Sequence, residues 1–194
     1  MAGIMGCALT KGRQEPCKDS VGGLKAAYFI NFGVQPTFDA GTEEVTDLQS
    51  DSLGAAITAY KYDLKAAGNN FDEDAQSNRD NGTTFWAQTV NLILKKMTAG
   101  DRKELKLLAY GRPHIVLHTN MGEAMIFGLY NGMEVTSCKS TSGGVMADLY
   151  GYTLAMSGME KLPTHFLSGA TVDDPFAGLT TDPTIVVGAD DEPG

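Results

Sequence analysis

Apolar and polar residues alternate with a period of two through much of this chain, the pattern of half-buried β-strands; a single stretch keeps the helical period. Residues 26–32 place Tyr28, Ile30 and Phe32 on one face of a first strand. Residues 57–65 repeat the alternation, with Thr58, Tyr60, Tyr62 and Leu64 opposed to Lys61, Asp63 and Lys65. The strongest strand signal lies at 84–95, where Trp86, Val90, Leu92 and Leu94 share a face. Segments 114–119 and 124–129 flank Asn120-Met121-Gly122 as the arms of a hairpin, and Asn131-Gly132 marks a tight turn into a strand at 133–138. A last strand is expected at 149–157, with Tyr152, Leu154 and Met156 on one side.

The helical exception begins at Thr98-Ala99-Gly100-Asp101, which has the spacing of a capping box. Leu105, Leu108 and Ala109 follow at i, i+3 and i+4, and Gly111 with Pro113 ends the element, so the pattern predicts one helix over 99–110. A lone helix of that length is unstable in water, and its apolar stripe must lie on a sheet. The remaining segments read as irregular. Residues 1–24 form an arm, 35–56 a long acidic loop, 68–82 a polar stretch, 139–144 a flexible loop and 164–194 a C-terminal extension or tail. The domain is then 25–163, and the fold class is mainly β: an antiparallel β-sandwich or barrel with one flanking α-helix.

Composition adds two constraints. Of 194 residues 23 are glycine, which suits turns and bulges better than helix interiors. The formal net charge of −9 opposes adhesion to nucleic acid or to anionic membrane, although repulsion is useful where DNA must slide past a surface. No apolar run approaches the ~18–20 residues of a membrane span. The opening residues lack the basic flank and the ~7–15-residue apolar core of an export signal. Cys7, Cys17 and Cys138 are odd in number and not in CxxC pairs, as expected of reduced cytoplasmic thiols.

Motifs that carry chemistry are weak or missing. On a strand, His114 and His118 stand ~13 Å apart, too far to share one metal ion, and read as part of its more polar face. Asp72-Glu73-Asp74 with Asn78, Asp80 and Asn81 lacks the residue order of a calcium loop, and Arg79 sits among the would-be ligands. Asn81-Gly82-Thr83 reads as a turn rather than a glycosylation acceptor. The sequence holds no phosphate loop, dinucleotide fingerprint, HExxH or GxSxG. The expectation is a non-enzyme with no catalytic, metal or cofactor-binding residues and no cofactor. Two rival classes have distinct requirements. A carbohydrate-binding sandwich needs exposed aromatics around a groove, and a small carbohydrate-processing enzyme needs two carboxylates ~5–10 Å apart in one cleft.

Several stretches then carry a resemblance. They are Cys17-Lys18-Asp19-Ser20-Val21-Gly22-Gly23-Leu24-Lys25, Asn81-Gly82-Thr83-Thr84-Phe85-Trp86 and Asp101-Arg102-Lys103-Glu104-Leu105-Lys106-Leu107-Leu108-Ala109. Further on come Ile126-Phe127-Gly128-Leu129-Tyr130-Asn131-Gly132-Met133-Glu134-Val135 and Asp148-Leu149-Tyr150-Gly151-Tyr152-Thr153-Leu154. Together, over residues 17–163, they resemble structural proteins of tailed bacteriophages, most of all tail tube subunits. The resemblance implies a sandwich or barrel with a flanking helix and stacked six-membered rings whose sheets join into one inner barrel. It also implies an acidic lumen that passes DNA without holding it. The partners would be further copies of the chain and other tail proteins, with no membrane. The location would be the virion tail, assembled in the host cytoplasm.

In that frame the arm and the 35–56 loop link one ring to the next, and Asp39, Glu43, Glu44, Asp47 and Asp51 are the candidate inter-ring contacts. Removing residues 37–50 is then expected to leave a folded chain that no longer polymerises. The nearest alternatives are another ring-forming neck, terminator or baseplate protein, or the inner tube of a cellular contractile injection system.

Overall fold

A computed structural model describes residues 9, 11–50, 54–65 and 67–188. In chain order its elements are β1 (Leu24–Ile30), β2 (Gln35–Phe38), β3 (Val45–Gln49), β4 (Thr58–Asp63), β5 (Asn70–Asn78) and β6 (Thr83–Lys95). There follow α1 (Ala99–Tyr110), β7 (His114–Thr119), β8 (Ala124–Phe127), β9 (Glu134–Thr141), β10 (Gly151–Glu160), β11 (His165–Phe166) and β12 (Thr184–Val187). The protein is mainly β, a sandwich of antiparallel sheets with one flanking helix. Six strands in the order β11-β8-β7-β1-β4-β12 form the first sheet, and four in the order β5-β6-β10-β9 form the second. β2 and β3 make a separate hairpin. Every strand ladder among the described residues is antiparallel except that of β12 with β4, and Val45 of β3 makes an isolated parallel bridge to Leu167.

The two main sheets face each other across one core. Ala27, Phe29, Ile115, Leu117 and Phe127 come from the six-stranded sheet, and Val90, Leu92, Leu154 and Met156 from the four-stranded one. The helix closes an end of this core with Leu105, which is buried. Its start is set as the sequence predicts: the Asp101 amide donates to Thr98 Oγ1 at 3.1 Å, which satisfies one of the unpaired first-turn donors. At the other end Gly111 N–H donates to the Leu107 and Leu108 carbonyls.

The six-stranded sheet is buried on its other face too. Ala26, Tyr28, Ile30, Val116, Ala124 and Ile126 point into a second core completed by Val45 and Leu48 of the hairpin and by Leu167, Phe176 and Leu179. The strand register explains why: Ala26, Tyr28 and Ile30 alternate with Ala27 and Phe29, and all are apolar, so neither face tolerates water. Phe176 packs edge-on against Tyr28 with ring centroids 5.1 Å apart. Burying a side chain of that size stabilises the fold by ~1.5–3 kcal/mol.

This second core corrects several sequence expectations. The 35–56 segment is not a free loop, since most of it is the β2–β3 hairpin lying on the sheet. Within the expected C-terminal extension or tail, residues 164–188 supply β11, β12 and three side chains of the second core, and residues 189–194 lie outside the described residues. His114 and His118 do not sit on a polar face; both are 1% exposed beneath these covers. The polar stretch at 68–82 contains the nine-residue β5, and the expected loop at 139–144 begins as the end of β9. Tyr28 and Ile30 are core residues, whereas Phe32 lies beyond β1 and is 46% exposed.

The deletion of residues 37–50 therefore has a different expected outcome from the one above. It removes Val45 and Leu48 from the core, so the shortened chain should fail to fold rather than fold and fail to assemble. Phe176→Ala should cost ~3–5 kcal/mol in equilibrium denaturation, the range for truncating a buried aromatic. A loss within error of zero would mean that residues 164–188 do not hold the second core.

Candidate functional site

The five carboxylates singled out in the sequence do not share one role. Asp39 sits at the hairpin tip, where its Oδ1 accepts hydrogen bonds from Gly41 N–H at 2.8 Å, Thr42 N–H at 2.9 Å and Thr42 Oγ1–H at 3.3 Å. The Thr42 amide, then the Gly41 amide and the Thr42 hydroxyl, hold this exposed carboxyl below its ordinary range. Glu43 occupies the left-handed region at φ 59°, which turns the chain so that its N–H reaches the Asp39 carbonyl. The Glu43 carbonyl accepts a hydrogen bond from His165 Nδ1 at 3.0 Å, and its side chain is exposed; Glu44 is half-buried. Asp51, like Cys7, lies outside the described residues.

Asp47 is an internal fastener. It is 5% exposed, its Oδ1 accepts from Leu48 and Thr181 N–H, and its Oδ2 accepts from Thr181 Oγ1 and Gln49 Nε2. Together with Ser168 N–H to the Val45 carbonyl and Thr180 N–H to the Thr46 carbonyl, it locks the hairpin to residues 165–181. A side chain so committed is unavailable to a neighbouring subunit.

The surface that is available lies on the four-stranded sheet. Residues that pair directly across a ladder face the same side. Val90, Leu92, Leu154 and Met156 face the core, so Asp72, Asp74, Ala87, Thr89, Asn91, Thr153, Ala155 and Ser157 face away from it. These are short and mostly polar, while the apolar Phe85, Met159 and Ile93 lie toward the strand ends. Lys139 and Ser137 on β9 join the same face through their partners Thr153 and Ala155. Among the described residues neither β5 nor β9 has a partner on its outer edge. Inward, the sheet is tied down by polar groups: Gln88 Oε1 accepts from Gly128 N–H, and Gln88 Nε2 donates to Glu73, which also accepts from Thr164 N–H and Oγ1–H. These bonds fix β5 although much of its length is exposed.

Sequence reasoning missed this surface because β5 reads as a run of polar residues. One signal was present, the alternation of Phe71, Glu73 and Ala75 with Asp72, Asp74 and Gln76, in which only Phe71 is a large apolar residue.

Elsewhere, a groove of about 1040 Å³ runs beside α1, lined by Phe32, Tyr60, Tyr62, Leu107, Leu108 and Arg112 among others. Its most exposed ring is already engaged, since Arg112 lies 4.4 Å over Phe32 and Phe32 stacks on His114 at 5.2 Å. The two histidines have private partners. His114 Nε2 accepts from Gly33 and Val34 N–H, so Nδ1 carries the hydrogen donated to the Gly128 carbonyl at 2.6 Å. His118 Nε2 meets the Thr171 carbonyl at 2.8 Å. No group of three or more His, Cys, Asp or Glu suited to a metal ion occurs among the described residues.

Burial holds both His114 and His118 below the usual imidazole range, against the opposing pull of their carbonyl partners. The unfolded chain therefore binds protons more readily than the folded one, and stability falls as pH drops through about 6.5. The melting temperature should decrease from pH 7 to pH 5, and ¹⁵N shifts should show His114 as the neutral Nδ1–H tautomer at pH 6. A charged His114 at that pH, with the fold intact, would contradict the two amide donors assigned to Nε2. Separately, Asp47→Ala should cost ~1–3 kcal/mol by leaving the Thr181 donors unpaired, whereas Glu43→Gln should stay within about 0.5 kcal/mol; chemical denaturation measures both.

No protein-family model matches the chain, and neither a curated protein nor a solved structure matches it.

Proposed function

We propose that the chain is a structural virion protein, a tail tube subunit whose copies form stacked rings around a channel for DNA. The observation that carries this reading is the four-stranded sheet, largely apolar on one side, mostly polar on the other and, among the described residues, without a partner strand on either edge. An exposed strand edge is a template for another chain, and it persists in a soluble protein where it is blunted, covered or used. β5 is blunted by carboxylates and β9 by Glu134, Lys139 and a bulge where its register with β10 shifts, but residues 136–140 of β9 remain exposed and hold no proline. Use by a neighbour accounts for it.

Joining such sheets side by side also gives the outward face a purpose. Six copies of a four-stranded sheet make a wall of about twenty-four strands, with a circumference of ~115 Å at the usual strand spacing. Barrels of ~16–18 strands already enclose a water-filled channel. Short polar side chains such as Thr89, Asn91, Thr153 and Ser157 would line it and leave the passage wide. Asp72 and Asp74 on that face, and the net charge of −9, oppose adhesion of DNA. Among the described residues no helix is long and apolar enough to cross a membrane.

Negative-stain microscopy and sedimentation of the purified chain test the reading, with rings or tubes expected and a stable monomer at high concentration counting against it. The lining predicts a further behaviour. Thr153→Lys, Ala155→Lys and Ser157→Lys in one chain should still assemble, and the particles should retain DNA in a salt-dependent way. Particles that assemble with DNA binding unchanged would place this sheet outside the channel.

A further inference from the structure

We infer that the β2–β3 hairpin is latched at both ends by histidines that hold only while uncharged, so that acid frees its entry and its tip while its middle and the sandwich keep their structure. The chain has three histidines. His114 pairs with Ile30, His118 with Ala26 and His165 with Ile126, and these three partners belong to the second core. All three rings therefore lie on the covered face of the six-stranded sheet, and each bonds the main chain of another segment. His114 Nε2 accepts from the Gly33 and Val34 amides at the entry of the hairpin, and His165 Nδ1 donates to the Glu43 carbonyl at its tip. His118 Nε2 donates to the Thr171 carbonyl. Between the two latches the hairpin is held without a histidine, by Asp47 to Thr181 and by the Thr46 carbonyl to Thr180 N–H.

A proton acts differently on each ring. His114 Nε2 faces two N–H donors, so a hydrogen added there points at them and ends both bonds. His165 Nε2 is buried without a hydrogen-bond partner among the described residues, and a charged N–H at that atom has no acceptor. The Phe38 ring beside it, tilted and 4.9 Å away, offers no lone pair. The His165 ring reaches water only by leaving its place, and β11, which holds it, is a two-residue strand at the sheet edge. His118 already donates from Nε2 when neutral, so it keeps the Thr171 carbonyl when charged. Neighbouring charges do not offset these effects. The titratable groups on the elements packed against His114 are Arg112, which lies over the Phe32 ring, and Tyr130 and Glu160; the Glu160 carboxylate is committed to the Tyr130 and Asn131 amides. Around His165 they are Glu43, Glu44 and Asp47 of the hairpin and Glu73, bonded to Thr164, and none of them bonds Nε2. Near His118 the pull of Asp174 is opposed by Lys25 and Lys61. Burial already holds His114 below the usual imidazole range, so release of its latch is favoured as pH falls below about 6.5.

Amide exchange and NMR spectra of the full-length chain, followed from pH 7 to pH 4.5, test the inference. As the rings charge, the Gly33 and Val34 amides should exchange about tenfold faster relative to those of the β6–β10 ladder, a sign of local rather than global opening. Cross-peaks between the Phe38 and His165 rings should vanish in the same range. The Thr181 amide should stay protected, and the Tyr28–Phe176 and Phe71–Phe127 ring contacts of the two cores should persist. His114→Gln supplies an uncharged acceptor for the two amides and a donor for the Gly128 carbonyl, so their protection should no longer follow pH; if that variant does not fold, the wild-type measurements decide by themselves. Loss of every ring contact in one step would overturn the inference in favour of a single cooperative unfolding. Gly33 and Val34 amides that stay protected beside a charged His114 would overturn it as well, as would rings that remain neutral down to pH 4.5.

Discussion

A β-sheet that is apolar on both faces must be covered twice, and most of this architecture follows from that demand. β1 alone supplies Ala26, Tyr28 and Ile30 to one side and Ala27 and Phe29 to the other. Only one of these faces is covered by the second main sheet. The other is covered by a hairpin and by residues that come after β10 in sequence, so elements that look peripheral in the sequence are core in the fold. The Asp47 carboxylate joins the two halves of this cover, binding its own hairpin and Thr181 at once.

The same demand leaves the four-stranded sheet with only one face to bury. Its outer side keeps short polar residues, and its β5 strand is held by Glu73 and Gln88 rather than by apolar packing along its length. A surface of this kind is stable in water yet keeps its backbone edges available. The larger sheet, covered on both faces, thus holds the fold together, while the smaller one leaves a polar face in water.

Legibility in the sequence followed the strength of the periodic signal. The helix was readable to its ends because Thr98, Leu105, Leu108 and Gly111 each act locally. β1, β4 and β6 were readable from their period of two, and the β7–β8 hairpin from its Asn120-Met121-Gly122 turn. β5 was not, since edge strands need few apolar residues and Phe71 is its only large one. The hairpin and residues 164–188 were not, because Val45, Leu48, Leu167, Phe176 and Leu179 are widely spaced in irregular chain and acquire meaning only when brought to one face. Asp47 was singled out for its charge, and its burial by Thr181, 134 residues away, has no local trace.

The parallel pairing of β12 with β4 and the cover over Tyr28 and Ile30 also bear on the order of biosynthesis. Every strand of the four-stranded sheet, with its open edges, emerges from the ribosome before residues 165–181 do. Until those residues arrive, the larger sheet has an unburied apolar face and the domain cannot complete its cooperative fold. A chain still on the ribosome therefore finishes its fold only after translation has passed Leu179, although both edge strands of the smaller sheet are already made by then.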